Sequence, residues 1–346
     1  MKKSLIAGTC LTLCALGAQA QSTVRLSGLV DVYVGSMKPA GATTRQSAVN
    51  SGGMTTSWWG MSGTEDLGGG MKASFALTSF FQADTGATGR FGEQTFSRDA
   101  NVSLSSNLGT LTLGRSKAPN FLPTILFNPL GDSYTFSPLV LHSSVPLFNA
   151  ANWRATVPAD TGWSNQITYS TPTFSGLKGN FHYQLGEQTS AANKGKNNVG
   201  VNLFYGAGPL SLTAFWERDE INNPFVLGTG LNGVLPSAQK AWMLGAAYDA
   251  SVAKVFATYG KSSNEGNTVD KSTTSLGASV PLGGGKVLLA AAHTKDDINA
   301  TSRTTTTLGY DYNLSKRTDV YVMLMNDKVT TLESGSSFAA GVRHRF

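Results

Sequence analysis

The sequence predicts an all-β fold: a transmembrane antiparallel β-barrel of about sixteen strands, with one long loop folded into its lumen. Three observations carry this reading. Apolar and polar residues alternate with period 2, in segments of about ten residues, almost to the last position. Short turns and long polar links take turns between those segments. From Ala118 to about Gly162 the alternation stops for some 45 residues, far longer than an ordinary connection in a compact domain.

The chain opens on Met1-Lys2-Lys3, an apolar run from Leu5 to Leu16, and Ala18-Gln19-Ala20. These are the basic region, apolar region and cleavage site of an export signal, so residues 1–20 are expected to leave and 21–346 to form the mature barrel. The apolar run is too short to cross a bilayer, where roughly twenty residues are needed. Cys10 and Cys14 are the only cysteines and lie inside the signal, so the mature chain has no disulfide framework. Neither has the small residue before it that a lipoprotein signal places there. Without Lys2 and Lys3 the net charge falls from +6 to +4. The remaining Lys and Arg are scattered through alternating segments rather than gathered on one face, which argues against a nucleic-acid partner. No later apolar run approaches the length of a membrane helix. An exported chain of this kind is periplasmic, secreted or an outer-membrane barrel.

The first strand places Val24, Leu26, Gly28, Val30, Val32 and Val34 on one face and Arg25, Ser27, Leu29, Asp31 and Tyr33 on the other. A second is expected from about Met54 to Gly63. A third follows the turn Glu65-Asp66-Leu67-Gly68-Gly69-Gly70, with Met71, Ala73, Phe75 and Leu77 opposed to Lys72, Ser74, Ala76 and Thr78. Tight turns are read at Asn107-Leu108-Gly109, Phe174-Ser175-Gly176, Gly206-Ala207-Gly208-Pro209, Asp249-Ala250-Ser251, Gly283-Gly284-Gly285 and Ser315-Lys316-Arg317. Longer polar links are read near 38–53, 84–93, 188–197, 221–238, 263–270, 297–302 and 328–335. This alternation of short and long connections fits short periplasmic turns and long external loops. Leu210, Leu212, Ala214 and Trp216 oppose Ser211, Thr213, Phe215, Glu217 and Asp219. The last strand alternates Phe338, Ala340, Val342, His344 and Phe346 with Ala339, Gly341, Arg343 and Arg345, so the chain ends on an aromatic in mid-pattern.

The 118–162 segment carries Phe121, Leu122, Phe127, Leu130, Leu141 and Trp153, so it packs against something. Its six prolines suit neither a long helix nor an inner strand. Its only carboxylate before Asp160 is Asp132. Packing inside the barrel satisfies both properties.

Other signals are set aside. The Gly68–Gly70 and Gly283–Gly285 runs have no following helix and are hairpin turns, not phosphate cradles. His142, His182, His293 and His344 show no ligand spacing. A catalytic barrel would need a nucleophile or base constellation that nothing here pairs, and adhesion through the external loops is not readable.

Six stretches together resemble the trimeric Gram-negative porins of β-proteobacterial (Burkholderia/Neisseria) type. They are Val24 to Val34; Ser62-Gly63-Thr64-Glu65-Asp66-Leu67-Gly68-Gly69-Gly70-Met71-Lys72-Ala73; Leu108-Gly109-Thr110-Leu111-Thr112-Leu113-Gly114-Arg115; Ile167-Thr168-Tyr169-Ser170-Thr171-Pro172; Leu308 to Thr318; and Gly341-Val342-Arg343-His344-Arg345-Phe346. The resemblance implies a sixteen-stranded barrel, a homotrimer in outer-membrane lipid and lipopolysaccharide, and a third external loop folded into the lumen. It further implies passive diffusion of small hydrophilic solutes and ions, without cofactor or catalysis. Selectivity is expected to be weak or mildly anionic, the alternative being a channel specific for a neutral sugar-like or aromatic solute. Of the basic constriction residues, the resemblance carries over to Arg98 and Arg115, while Trp58 stands in an Arg position and Thr78 in a Glu position. Arg25 has clean lumen parity. With Asp132 on the loop and Phe127 beside it, the expected constriction comprises Arg98, Arg115, Arg25, Trp58, Asp132 and Phe127. Strict alternation would turn Arg98 toward lipid, so a bulge is expected to turn it inward.

Overall fold

The structure, a computed structural model, describes residues 23–90, 93–144, 162–187, 191, 194–222 and 233–346. The export signal and the latter part of the long loop lie outside the described residues. The elements run β1 (Thr23–Met37), β2 (Gln46–Ser51), β3 (Trp58–Gly68), β4 (Met71–Phe80), β5 (Asp99–Ser106), β6 (Gly109–Lys117), α1 (Phe121–Leu126) and α2 (Pro138–Ser144). They continue with β7 (Gly162–Ser170), β8 (Leu177–Leu185), β9 (Asn197–Ala207), β10 (Leu210–Asn222), β11 (Gly233–Asp249) and β12 (Lys254–Asn264). The last five are β13 (Asp270–Leu282), β14 (Gly285–Asp296), β15 (Thr301–Asn313), β16 (Thr318–Val329) and β17 (Gly335–Arg345).

From β3 onward each strand pairs antiparallel with the next, and β17 closes on β1 with Leu29 opposite Arg345 and Ser36 opposite Phe338. At the seam the terminal Phe346 exchanges backbone hydrogen bonds with Gly28 at 3.0 and 3.1 Å. β2 and β3 lie on the same flank of β1, Gln46 opposite Met37 and Trp58 opposite Leu29. They are one wall strand interrupted, so the closed barrel has sixteen strands. The polar link expected over 38–53 is therefore too long, since Gln46–Ser51 is strand, and the second strand resumes at Trp58 rather than Met54. The cause is Asp31. Its carboxylate accepts hydrogen bonds from the N–H groups of Gly53, Met54 and Thr55 at 3.2, 2.8 and 2.8 Å, drawing 52–57 inward from the ladder.

The burial pattern is the reverse of a soluble sandwich. Along β15, Thr305, Thr307 and Asp311 are buried while Leu308 and Tyr312 are exposed. Along β17, Arg343 is buried while Phe338 and Val342 are exposed. An apolar exterior around a polar interior is what a lipid solvent requires of a barrel. None of the helices among the described residues is long and apolar enough to cross a membrane.

The main apolar cluster lies inside the barrel. Leu130, Phe136 and Leu141 of the long loop pack on Tyr33, Leu288, Tyr321 and Met323, side chains on the inner face of the wall. The described part of the loop follows that face closely. Asn202 donates to Pro119 O at 2.8 Å, Thr307 to Phe136 O at 2.7 Å, and Ser133 to Gly53 O at 2.6 Å. Two glycines make room for it: a Cβ at Gly200 would lie 2.5 Å from Pro119, and one at Gly277 2.5 Å from Pro129.

Candidate pore constriction

On β3, Trp58 lies opposite Leu29 and takes the inward parity, while Trp59 faces out. Thr78 of β4, opposite Gly60, and Asp99 of β5, opposite Thr78, lie on the same inward face one step further along the wall. Arg98 stands one residue before β5, where ladder alternation has not yet begun, so the parity that pointed it at lipid does not apply. Its N–H donates to Thr78 O at 3.2 Å, its Nη1 to Asp99 Oδ2 at 3.1 Å, and its guanidinium lies 4.0 Å over the Trp58 ring. Lys117, the last residue of β6, donates to the other oxygen of Asp99 at 2.9 Å, and Thr78 Oγ1 donates to Oδ2 at 2.9 Å. Two partly exposed cations thus share one buried carboxylate, leaving an excess of positive charge on this side.

Facing them is the inserted loop. Asp132 lies near Thr55 and within electrostatic reach of Arg98 and Arg343. Burial pushes its carboxyl above the usual 3.8, and the nearby Thr55 hydroxyl and the two guanidinium groups offset only part of that. Arg343 donates to Thr55 Oγ1 at 2.8 Å and through Nε to Asp319 Oδ1 at 2.9 Å. Thr55 therefore lies close to the loop acid while bonded to the wall base. Its position depends on Asp31, which also accepts the Tyr321 hydroxyl.

The structure brings Arg98, Trp58 and Asp132 into one neighbourhood and separates the other three residues of the expected set. Arg115 sits at a register shift between β6 and β7 and is tied into the wall. It donates to Ser97 O, to Ser164 Oγ at 3.0 Å and to Gly162 O at 3.4 Å. Arg25 is exposed opposite Ser62, four residues from Leu29 toward the end with short turns, roughly 13 Å along the strand. Phe127 is 4% exposed and fills a wall pocket with Ala247 and Phe256, so the aromatic lining expected there reduces to Trp58. Sequence reasoning missed Lys117, Arg343, Thr55 and Asp31. Arg343 carried a signal, its polar parity on the last strand; Lys117 at a strand end carried none.

The other end of the loop is clamped by a buried network. His142 on α2 bonds Thr294 through Nδ1 and Thr305 through Nε2, both at 2.8 Å. Thr305 donates to Asp327 at 2.6 Å, and Asp327 takes Arg303 in a two-pronged pair at 2.9 and 2.9 Å. Full burial, with the nearby Arg303, His293 and Lys271 charges adding to it, holds His142 well below its usual 6.5.

A family model for Gram-negative porins matches residues 7–332. Outer membrane porin protein 32 of Delftia acidovorans is 32% identical over the whole of both chains, and an outer membrane porin protein of Bordetella pertussis is 28% identical over the whole of both. Among solved structures, an anion-selective porin from Comamonas acidovorans superposes with a TM-score of 0.75 at 28% identity, covering 94% of this chain and all of that one. The Vibrio cholerae outer membrane protein OmpT shares the fold at 14% identity, with a TM-score of 0.69 over 94% of this chain and 99% of that one. With its lipid-facing apolar exterior, polar interior and inserted loop, the chain belongs to the Gram-negative porin family, and it is an outer-membrane channel through which small hydrophilic solutes pass passively.

Proposed function

We propose that this porin prefers anions, and that its selective constriction is formed by Arg98, Lys117 and Arg343 on the wall facing Asp132 on the inserted loop. The observation that carries the reading is the Arg98–Trp58 stack at 4.0 Å, which holds a guanidinium at the lumen beside a carboxylate already shared with Lys117. A wall with surplus fixed cations selects the opposite ion. The similar Comamonas protein, described as anion-selective, agrees in sign. The channel works as a homotrimer, without cofactor or catalysis. With Arg98 covering the Trp58 ring, that ring is not free on both sides to stack on a flat neutral solute. The test is the reversal potential of the purified protein in a planar bilayer under a KCl gradient, read with single-channel conductance. Anion-directed potentials and conductance closing in three equal steps support the proposal. A cation-directed potential overturns it.

A further inference from the structure

Inward-facing cations are not spread evenly along the barrel axis. Towards the external rim they are matched: Lys271 lies 3.6 Å from Asp296 and Arg303 2.9 Å from Asp327. The end with short turns, which is the periplasmic end, has a different pattern. β1, β4, β8, β12 and β14 all run away from those turns, and each carries a cation within its first three residues: Arg25, Lys72, Lys178, Lys254 and Lys286. β17 runs the other way and ends on Arg345. Each shares the parity of a buried neighbour, Arg25 with Leu29, Lys72 with Thr78, Lys178 with His182, Lys254 with Thr258, Lys286 with Leu288 and Arg345 with Arg343. All six therefore take the lumen side of the wall. Arg25, Lys72 and Lys178 are nonetheless exposed, so they stand in the water of the vestibule. The six encircle the mouth: Lys72 is two wall strands from Arg25, Lys178 four from Lys72 and Lys254 four from Lys178, with Lys286 and Arg345 on the remaining arc.

The acids at this end do not cancel them. Asp311 and Asp319 lie 3.7 Å from Lys286 and 2.7 Å from Arg345, and both also face Arg343. Asp66 and Asp249 stand directly opposite Lys72 and Lys254 in the ladder. Each turns its carboxylate to its own hairpin instead, where it accepts the N–H of Gly68 or Ser251 at 2.9 Å. Among the described residues Arg25, Lys72, Lys178 and Lys254 therefore pair with no carboxylate, and Lys254 only rests its ammonium 5.4 Å from the Phe256 ring. With Arg343 included, seven inward cations meet four inward carboxylates at this end, so a positive surplus remains at longer range too. A ring of one sign at a pore mouth concentrates the opposite ion, and the low-dielectric wall around the water focuses its field. The attraction scales with the charge of the ion, so an anion of several charges gains far more than chloride. Flexible lysine stems can close on such an ion.

We propose that the periplasmic mouth holds small polyvalent oxyanions, rich in phosphate or carboxylate groups, among Arg25, Lys72, Lys178 and Lys254, and that such an anion hinders the current only when it arrives from that side. An anion arriving from outside meets the matched pairs and the inserted loop with Asp132 first. The four cations lie at strand starts, away from the Arg98 constriction, so the sign of the reversal potential and the sidedness of block are separate readings.

The test uses the purified channel in a planar bilayer, with sodium tripolyphosphate added to one chamber and then, on a fresh membrane, to the other. Block is titrated at equal driving voltage in wild type, in R25Q/K72Q/K178Q/K254Q and in R98Q. A K240Q/K261Q variant, altered on the outer face near the external rim, serves as control. In wild type and control, half-block should need roughly tenfold less tripolyphosphate from one side than from the other, in line with the focusing of counter-ions by a charged mouth. The difference should shrink between about 0.1 M and about 1 M KCl, as the Debye length falls from about 10 to about 3 Å. The fourfold variant should lose the sided block, while R98Q should shift the reversal potential and keep it. Should the fourfold variant not fold, K178Q/K254Q is read in the same way, with a partial loss expected. Equal block from both sides of wild type overturns the proposal. A sided block that survives in the folded fourfold or K178Q/K254Q protein overturns it too.

Discussion

The guanidinium of Arg98 lies 4.0 Å over the indole ring of Trp58. The pair crosses between wall strands, Trp58 opening β3 and Arg98 preceding β5, and it fixes a charge that its place in the sequence left undirected. Replacing Arg98 by Gln removes one unit charge. At an effective dielectric of about 40 and a distance of about 8 Å, that charge is worth about 1 kcal/mol to a passing ion before screening. The anion-to-cation permeability ratio should therefore fall by roughly twofold to fivefold. Trp58→Ala should leave the sign unchanged but broaden the open-channel current, because the guanidinium loses its platform. Both are read from reversal potentials and current variance in planar bilayers.

Asp132 opposes that effect. Asp132→Asn should raise anion preference at neutral pH. Its carboxyl is held above 3.8 by burial, so wild type should lose that negative charge as pH falls through the raised value, with anion preference climbing on acidification. The D132N channel should lack this component of the climb. Equal climbs in both proteins would remove Asp132 from the aperture.

The His142 clamp should weaken in acid. A histidine held below 6.5 in the folded chain contributes docking stability that is complete above about 6.5 and declines as pH drops below it, because the undocked loop then binds the proton more readily. The titratable and charged groups facing it are the Arg303–Asp327 and Lys271–Asp296 pairs and His293, and a new cation there adds to the Arg303 and Lys271 charges. Limited proteolysis of the loop should therefore quicken between pH 7 and pH 5 in wild type. In His142→Gln, which retains a donor and an acceptor but does not titrate, the rate should change much less.

Asp31→Ala should be costly. It strips acceptors from the N–H groups of Gly53, Met54 and Thr55 and from the Tyr321 hydroxyl. At about 1–3 kcal/mol for each buried donor left unsatisfied, a loss of at least 3 kcal/mol is expected in denaturant unfolding. Because 52–57 leads directly into Trp58, conductance should change as well. Tyr321→Phe, which removes only the hydroxyl, should cost about 1 kcal/mol.

The barrel itself was legible. Period-2 alternation, short turns such as Gly283-Gly284 and the closing run to Phe346 follow from which face meets lipid, and lipid is a uniform solvent that acts on every strand alike. The loop was legible as an inserted segment because its apolar residues needed a partner. Where it docks was legible only in outline. Leu288-Leu289-Ala290-Ala291-Ala292 and Tyr321-Val322-Met323-Leu324-Met325 are apolar on both faces, and the inner members of those runs, Leu288, Ala290, Tyr321, Met323 and Met325, line the cluster that receives the loop. Such doubled runs mark wall covered from both sides.

The site was less legible because lumen position depends on contacts between distant strands. Arg98, Lys117 and Arg343 are set by strand ends and by Asp99, Thr55 and Asp319, none of which is adjacent to all three in sequence. Arg115 had the residue type of a pore lining, yet a register shift turned it to the backbone of Ser97 and Gly162. Residue order alone set the solvent of each face, the strand count and the presence of an internal loop, since these are sums over many residues of one repeated preference. Which few charges come together beside the inserted loop, and which carboxylates have no cation among the described residues, as Glu217 and Asp219, is decided only in the folded chain. A single side chain's direction rests on one bulge or one partner, and a repeating pattern averages such local choices away.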